Sequence, residues 1–102
     1  MKKQTNNKNG ADEKPLLVTT AHKGVFFGYG LPTEAKTVRL KRARMCVYWS
    51  ADVRGVLGLA GKGPTTNCKI GPAVPSITLQ DVTSVVEVSD VARLAWEAEP
   101  WN

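Results

Sequence analysis

The sequence predicts a mainly β chain of the α+β class, a small curved antiparallel sheet or barrel with one short C-terminal helix. Three observations predict it. Residues 37–49 form the longest β-like run in the chain and its most basic one. On its N-terminal side two short apolar runs, 16–18 and 25–29, flank a polar turn ending in Gly24, the pattern of a hairpin with a loop of several residues. Near the C-terminus Val91, Leu94, Ala95 and Ala98 recur at helical spacing.

Taken in order, residues 1–14 are polar, rich in Asn and Lys and without periodicity, which predicts a disordered tail ahead of one folded domain over 15–102. Gly28, inside the second apolar run, marks a bulge or a sharp curve. Residues 31–36 contain Pro32 and read as a loop. In the long run, Val38 and Leu40 alternate with Arg39 and Lys41, as in a half-buried strand. After Ala43 the phase changes: Met45, Val47 and Trp49 share one face, with Cys46 and Tyr48 opposite. A bend, bulge or tight turn is therefore expected between Lys41 and Arg44.

Residues 50–54 read as a turn. Gly55, Gly58 and Gly61 interrupt Val56, Leu57 and Leu59, a glycine density that argues against a helix and for a curved strand or ordered loop. Residues 61–67 superficially suggest a phosphate-binding loop. That chemistry needs a hydroxyl side chain directly after the lysine, where this chain has Gly63, and an amphipathic helix, which does not follow. Cys68, Lys69 and Ile70 suit a short strand, and Pro72 and Pro75 then break regularity. Ile77 and Leu79 alternate, Gln80 and Asp81 turn the chain, and Val82, Val86 and Val88 mark one face of a last strand with Val85 on the other. That strand should be covered on both sides. Ser89 is the expected N-cap of the closing helix, Arg93 and Glu97 can pair along it, and Pro100 ends it.

A chain of 102 residues with 42% hydrophobic and 23% charged residues supports one domain with one modest core. No apolar run approaches the ~20 residues that span a bilayer. Residues 4–14 hold no apolar segment of the kind a signal peptide needs, so the expectation is a cytoplasmic protein without a membrane partner. The net charge of +5 suits an anionic partner such as nucleic acid or a nucleotide. Cys46, Cys68 and the lone His22 fit no metal-ligand spacing, so neither a metal nor another cofactor is expected, and the cysteines read as packed thiols. His22 has no nucleophile beside it, and Glu34, Asp52, Asp81 and Glu87 are scattered singly. No catalytic set can be assembled, and the chain reads as a non-enzyme.

Binding is the better-supported chemistry. Lys36, Arg39, Lys41, Arg42 and Arg44 crowd into one short stretch. Arg39 and Lys41 should project together from a solvent face, with Arg42 or Arg44 brought near by the bend. Arg39, Lys41, Arg42 and Arg44 are the candidate anion or nucleic-acid ligands, assisted by stacking on Tyr29 or Tyr48. A charged strand face also protects an edge from aggregation, so the same residues have a structural reading. The aromatic residues exceed what a small barrel must bury. Tyr29, Tyr48, Trp49, Trp96 and Trp101 are therefore candidate interface residues, for a homo-oligomer or a host protein.

Two resemblances add a setting. Residues 24–29, 43–49, 55–60, Gly63-Pro64, Cys68, 72–77, Trp96 and Pro100-Trp101 together resemble a family of small phage- and prophage-encoded proteins without an assigned activity. That resemblance implies a non-catalytic phage accessory protein in the host cytoplasm, binding a host protein or nucleotide ligand and antagonising a host defence. A minor virion or assembly protein is the alternative in the same setting. The second resemblance is to the Sm-like small barrel. It rests on a strand ending Phe27-Gly28-Tyr29, the strand Val38-Arg39-Leu40 before a bend, a strand ending Val47-Tyr48, and a last strand at 82–86. It implies a nucleic-acid-binding barrel that closes into a ring, although the long 50–80 segment has no place in a minimal barrel of that kind.

Overall fold

In the computed structural model, residues 13–21 and 24–99 are described. Residues 1–12 of the tail expected over 1–14, His22 and Trp101 therefore lie outside the described residues, whereas Lys14 of that stretch is the first residue of a strand. Six strands form one antiparallel sheet: β1 (Lys14–Thr20), β2 (Val25–Gly30), β3 (Val38–Tyr48), β4 (Lys69–Ile70), β5 (Val74–Leu79) and β6 (Val82–Glu87). A 3-10 turn (Ala51–Val53) and a helix α1 (Gly55–Gly61) lie between β3 and β4, and helix α2 (Asp90–Ala98) follows β6.

The sheet order is β4-β3-β2-β1-β6, with β5 also paired to β3. Among the described strands, β3 alone is long enough to take β2 along one edge and two partners along the other. Its first half pairs with β5, from Val38 opposite Leu79 to Ala43 opposite Val74, and its second half pairs with β4 through Cys46 opposite Ile70. β5 and β6 are joined by Gln80 and Asp81, the latter at φ 55, yet β5 pairs with β3 and β6 with β1. The corner thus hands the chain from one end of the sheet to the other. Ala21 N–H donates to Asp81 O, and Val82 N–H to Lys36 O, which pins it.

Curvature brings the two ends of the sheet around a shared interior. Leu16 and Val18 of β1, Val38, Leu40 and Ala43 of β3 and Leu79 of β5 are buried together, with Val82 and Val85 of β6 packed against them. Gly28 makes the bend sterically feasible: a Cβ there would lie 2.7 Å from the Cβ of Leu40. The outer face of the sheet carries a second core under the helices. Leu17, Phe27, Tyr29, Cys46, Leu59, Cys68, Ile70, Ala92 and Trp96 belong to it, with Val86 packed against it. The last strand is covered on both sides as its sequence predicts, Val85 facing one core and Val86 and Val88 the other, but Val82, expected on the face of Val86, packs beside Val85.

Pro75, expected to break regularity, lies within β5, and two further elements differ from the sequence reading. The glycine-rich 55–61 segment is helical, against its propensity. Tertiary contacts decide it: Leu59 and Ala60 are buried in the outer core, and a Cβ on Gly58 would fall 1.6 Å from Val53 O. A bulkier helix former could not bring α1 so close to the preceding turn. The second difference concerns which face of α2 is buried. Val91 and Leu94 are 69% and 57% exposed, whereas Ala92 and Trp96 are fully buried. The large indole supplies most of the core contact, stacking on Phe27 with ring centroids 5.1 Å apart and donating from Nε1 to Leu59 O at 3.1 Å. Ser89 caps α2 as expected, accepting from Ala92 N–H at 3.1 Å. The same hydroxyl donates to Gly61 O at 2.6 Å, and Ser89 N–H donates to Ala60 O, so one residue also closes the end of α1.

Candidate anion-binding face

The candidate site is built on the outer face of β3 and on Tyr29 beside it. Alternation places Val38 and Leu40 in the interior, which leaves Arg39 and Lys41 exposed on the opposite face. The helices do not cover this end of the sheet. Arg39 and Lys41 line an open groove of about 470 Å³, together with Gly30, Leu31, Thr33 and Thr37. Glu13 reaches Lys41 Nζ at 3.2 Å across the groove's edge, a half-exposed pair of small energetic weight.

Arg42 is the bend. Its φ of 50 lies in the left-handed region, a conformation that costs a non-glycine residue about 1 kcal/mol or more. The guanidinium carbon sits 4.1 Å from the centre of the Tyr29 ring, a cation–π contact that offsets part of that cost. The Tyr29 hydroxyl donates to Glu97 Oε2, and Arg93 approaches Glu97 Oε1 at 3.5 Å. Burial first, and then the Glu97 carboxylate, push the Tyr29 pKa up, while Arg93 and Arg42 pull the other way. Tyr29 is thus a buried post between β2 and α2 with a cation on its face.

Arg44 is placed differently from its neighbours. The bend turns its side chain under the helices, where it is 8% exposed, and it is absent from the solvent-facing row expected of it. Nε–H donates to Gly71 O and Nη1–H to Trp96 O, each at 2.7 Å. Burial lowers its pKa, partly opposed by the charge of Glu99. The Trp96 carbonyl belongs to the last turn of α2, the negative end of the helix, which favours a cation there.

Of the candidate interface residues, Tyr29 and Trp96 are taken up by the outer core, where both rings pack against Phe27. They are not available at the surface of the isolated chain. Tyr48 is 53% exposed, and Trp49 is half-buried against the core. The exposed apolar surface comes instead from residues the sequence reading did not select. Met45 and Val47 join Tyr48 on the second half of β3, Val74 stands opposite Ala43, Leu31 follows β2, and Leu57, Val91 and Leu94 lie on the helices. The phase change after Ala43 was the only signal that Met45 and Val47 share a face, and it gave no direction to that face.

Cys46 and Cys68 are free and buried. Burial, and secondarily the proximity of Cys68, push the Cys46 thiol up to about 12, so it is not a nucleophile at neutral pH. Among the described residues no group of three or more His, Cys, Asp or Glu could hold a metal ion. No helix among them is long and apolar enough to cross a membrane.

Neither the curated proteins nor the solved structures contain a match to the chain. A family model does match, over residues 13–96. That span runs from the first described residue before β1 to the indole in the outer core, taking in every described strand and the cations of the face described above but not Glu97. The chain belongs to this family, a domain of unknown function designated DUF6948.

Proposed function

We propose that the chain is a non-catalytic binding module, phage-encoded, that engages a polyanionic host component through the outer face of β3, with a nucleic-acid backbone as the favoured ligand. The observation that carries this reading is the exposed pair Arg39 and Lys41 on a strand whose opposite face is fixed in the core. The cations are held at strand spacing on a rigid element, and the groove beside them is lined by Thr33 and Thr37, which can donate to phosphate oxygens. The Sm-like resemblance of the strands supplies the fold setting for the same proposal, and antagonism of a host defence supplies the biological one.

The test is fluorescence anisotropy with a labelled single-stranded oligonucleotide over a salt series. Affinity should fall steeply with salt, and the double variant Arg39→Glu/Lys41→Glu should lower the log–log slope by roughly one for each phosphate it no longer neutralises. An unchanged affinity and slope in that variant would defeat the reading. A second reading is favoured by the exposed Met45, Val47, Tyr48 and Val74: a homo-oligomer that covers this apolar end. Light scattering should then give a multiple of 11.1 kDa, reduced to the monomer mass by Val47→Lys.

A further inference from the structure

We propose that Arg44 and Arg42 hold the oxygen atoms of a small anion, a carboxylate or a phosphate group, in the recess between the bend of β3 and the last turn of α2. The recess has a volume of about 240 Å³ and is lined by Phe27, Tyr29, Arg42, Arg44, Ala73 and Glu97. It is a different place from the Arg39 groove, and of the outer-row cations Arg42 alone stands on its wall.

Arg44 is the reason to expect a ligand there. A guanidinium has five N–H donors and cannot lose its charge in a protein. Two of those donors are used, by Gly71 O and Trp96 O. Among the described residues Arg44 makes no ion pair. The two carbonyls satisfy donors but do not neutralise a full charge, since the end of a helix supplies about half an elementary charge. A cation that is 8% exposed and makes no ion pair among the described residues, with Glu99 acting on it only from beyond contact distance, therefore lies at the wall of a cavity large enough for an anion.

The second guanidinium points to the same place. The left-handed backbone of Arg42 carries its side chain over Tyr29, one of the recess residues, instead of outwards beside Lys41. Glu97 stands on the opposite wall, and its two oxygens are already engaged by the Tyr29 hydroxyl and by Arg93. An entering anion thus meets two cations and one carboxylate that is already hydrogen-bonded by the Tyr29 hydroxyl and paired with Arg93. The planar fork of Arg44 suits two oxygens of one group, which carboxylate and phosphate both present.

The experiment is a titration of the 15N-labelled full chain, following the side-chain Nε–H signal of Arg44. Sodium phosphate and sodium acetate are added in separate series, with sodium chloride holding the ionic strength constant. A saturable shift with either anion supports the site, and the anion that produces it identifies the head group. Arg42→Gln should weaken that response by roughly tenfold, as loss of a charge-assisted hydrogen bond does, while Arg39→Gln should leave it unchanged. No saturable shift with either anion, or an undiminished one in Arg42→Gln, would overturn the proposal. Both tests use variants of exposed residues, so neither depends on whether an Arg44 variant folds. Oligonucleotide binding through Arg39 and Lys41 is read separately, and either result can fail without the other.

Discussion

Arg39 and Arg44 stand on one strand, on the same face of the sheet, and meet opposite fates. Arg39 is exposed beside an open groove, whereas Arg44 is buried between two carbonyls under a helix. The difference comes from what covers each half of β3. The first half pairs with β5 and is left bare on its outer side; the second half lies beneath α2 and the 71–73 segment. Between them Arg42, in the left-handed region, shifts the alternation by one residue. That shift returns Ala43 to the interior core and sends Arg44 to the helix side. Without it, the interior would have to receive Arg42 and Arg44. The bend is therefore a way of keeping cations out of one core, and it commits one of them to the edge of the other.

The comparison can be broken most severely at Trp96, which builds the environment that Arg44 occupies. Trp96→Ala should cost about 4 kcal/mol, the ordinary loss for an indole removed from a packed core, measured as a fall in the denaturation midpoint at constant slope. Arg44→Met comes next. Removing a desolvated cation offsets part of the damage, but Gly71 O and Trp96 O both lose their donor, and the net loss should be about 2 kcal/mol. A stabilised Arg44→Met protein would show that the charge is the greater burden. Smallest is Arg39→Ala, whose effect on stability should stay within ~0.5 kcal/mol because the side chain is exposed. The contrast is sharpest when Arg39→Ala is read by salt-dependent oligonucleotide binding, where it should lower the slope by about one while stability is unchanged.

Much of this arrangement can be read from residue order. The alternation of Val38, Arg39, Leu40 and Lys41 places the first half of β3 correctly, and the phase change after Ala43 locates the bend. Val85 and Val86 on opposite faces announce a strand between two cores. The rest depends on neighbours distant in sequence. Nothing local distinguishes Arg44 from Arg39, since the helix end and the Gly71 carbonyl that receive it lie far along the chain. In α1 three glycines point away from a helix, and only the close approach to Val53 O explains why Gly58 must be one. In α2 periodicity picks out Val91, Leu94, Ala95 and Ala98, yet the fully buried residues are two that lie off that stripe, Ala92 and Trp96. Apolar spacing measures amphipathicity. It does not say which apolar face the sheet will accept.

Ser89 sets how the two helices lose structure. α1 is a seven-residue helix with three glycines, too short and too flexible to persist alone. Its terminal carbonyls are closed by the hydroxyl and amide of Ser89, and Leu59 O receives the indole N–H of Trp96. Every one of those partners arrives with α2. The pair should behave as a single foldon, in which the amides of 59–63 and 92–96 exchange with solvent at one common opening free energy. Undocking α2 would expose Arg44 and the anion recess in the same event, so whatever binds the recess should also slow exchange in α1, a segment it does not touch.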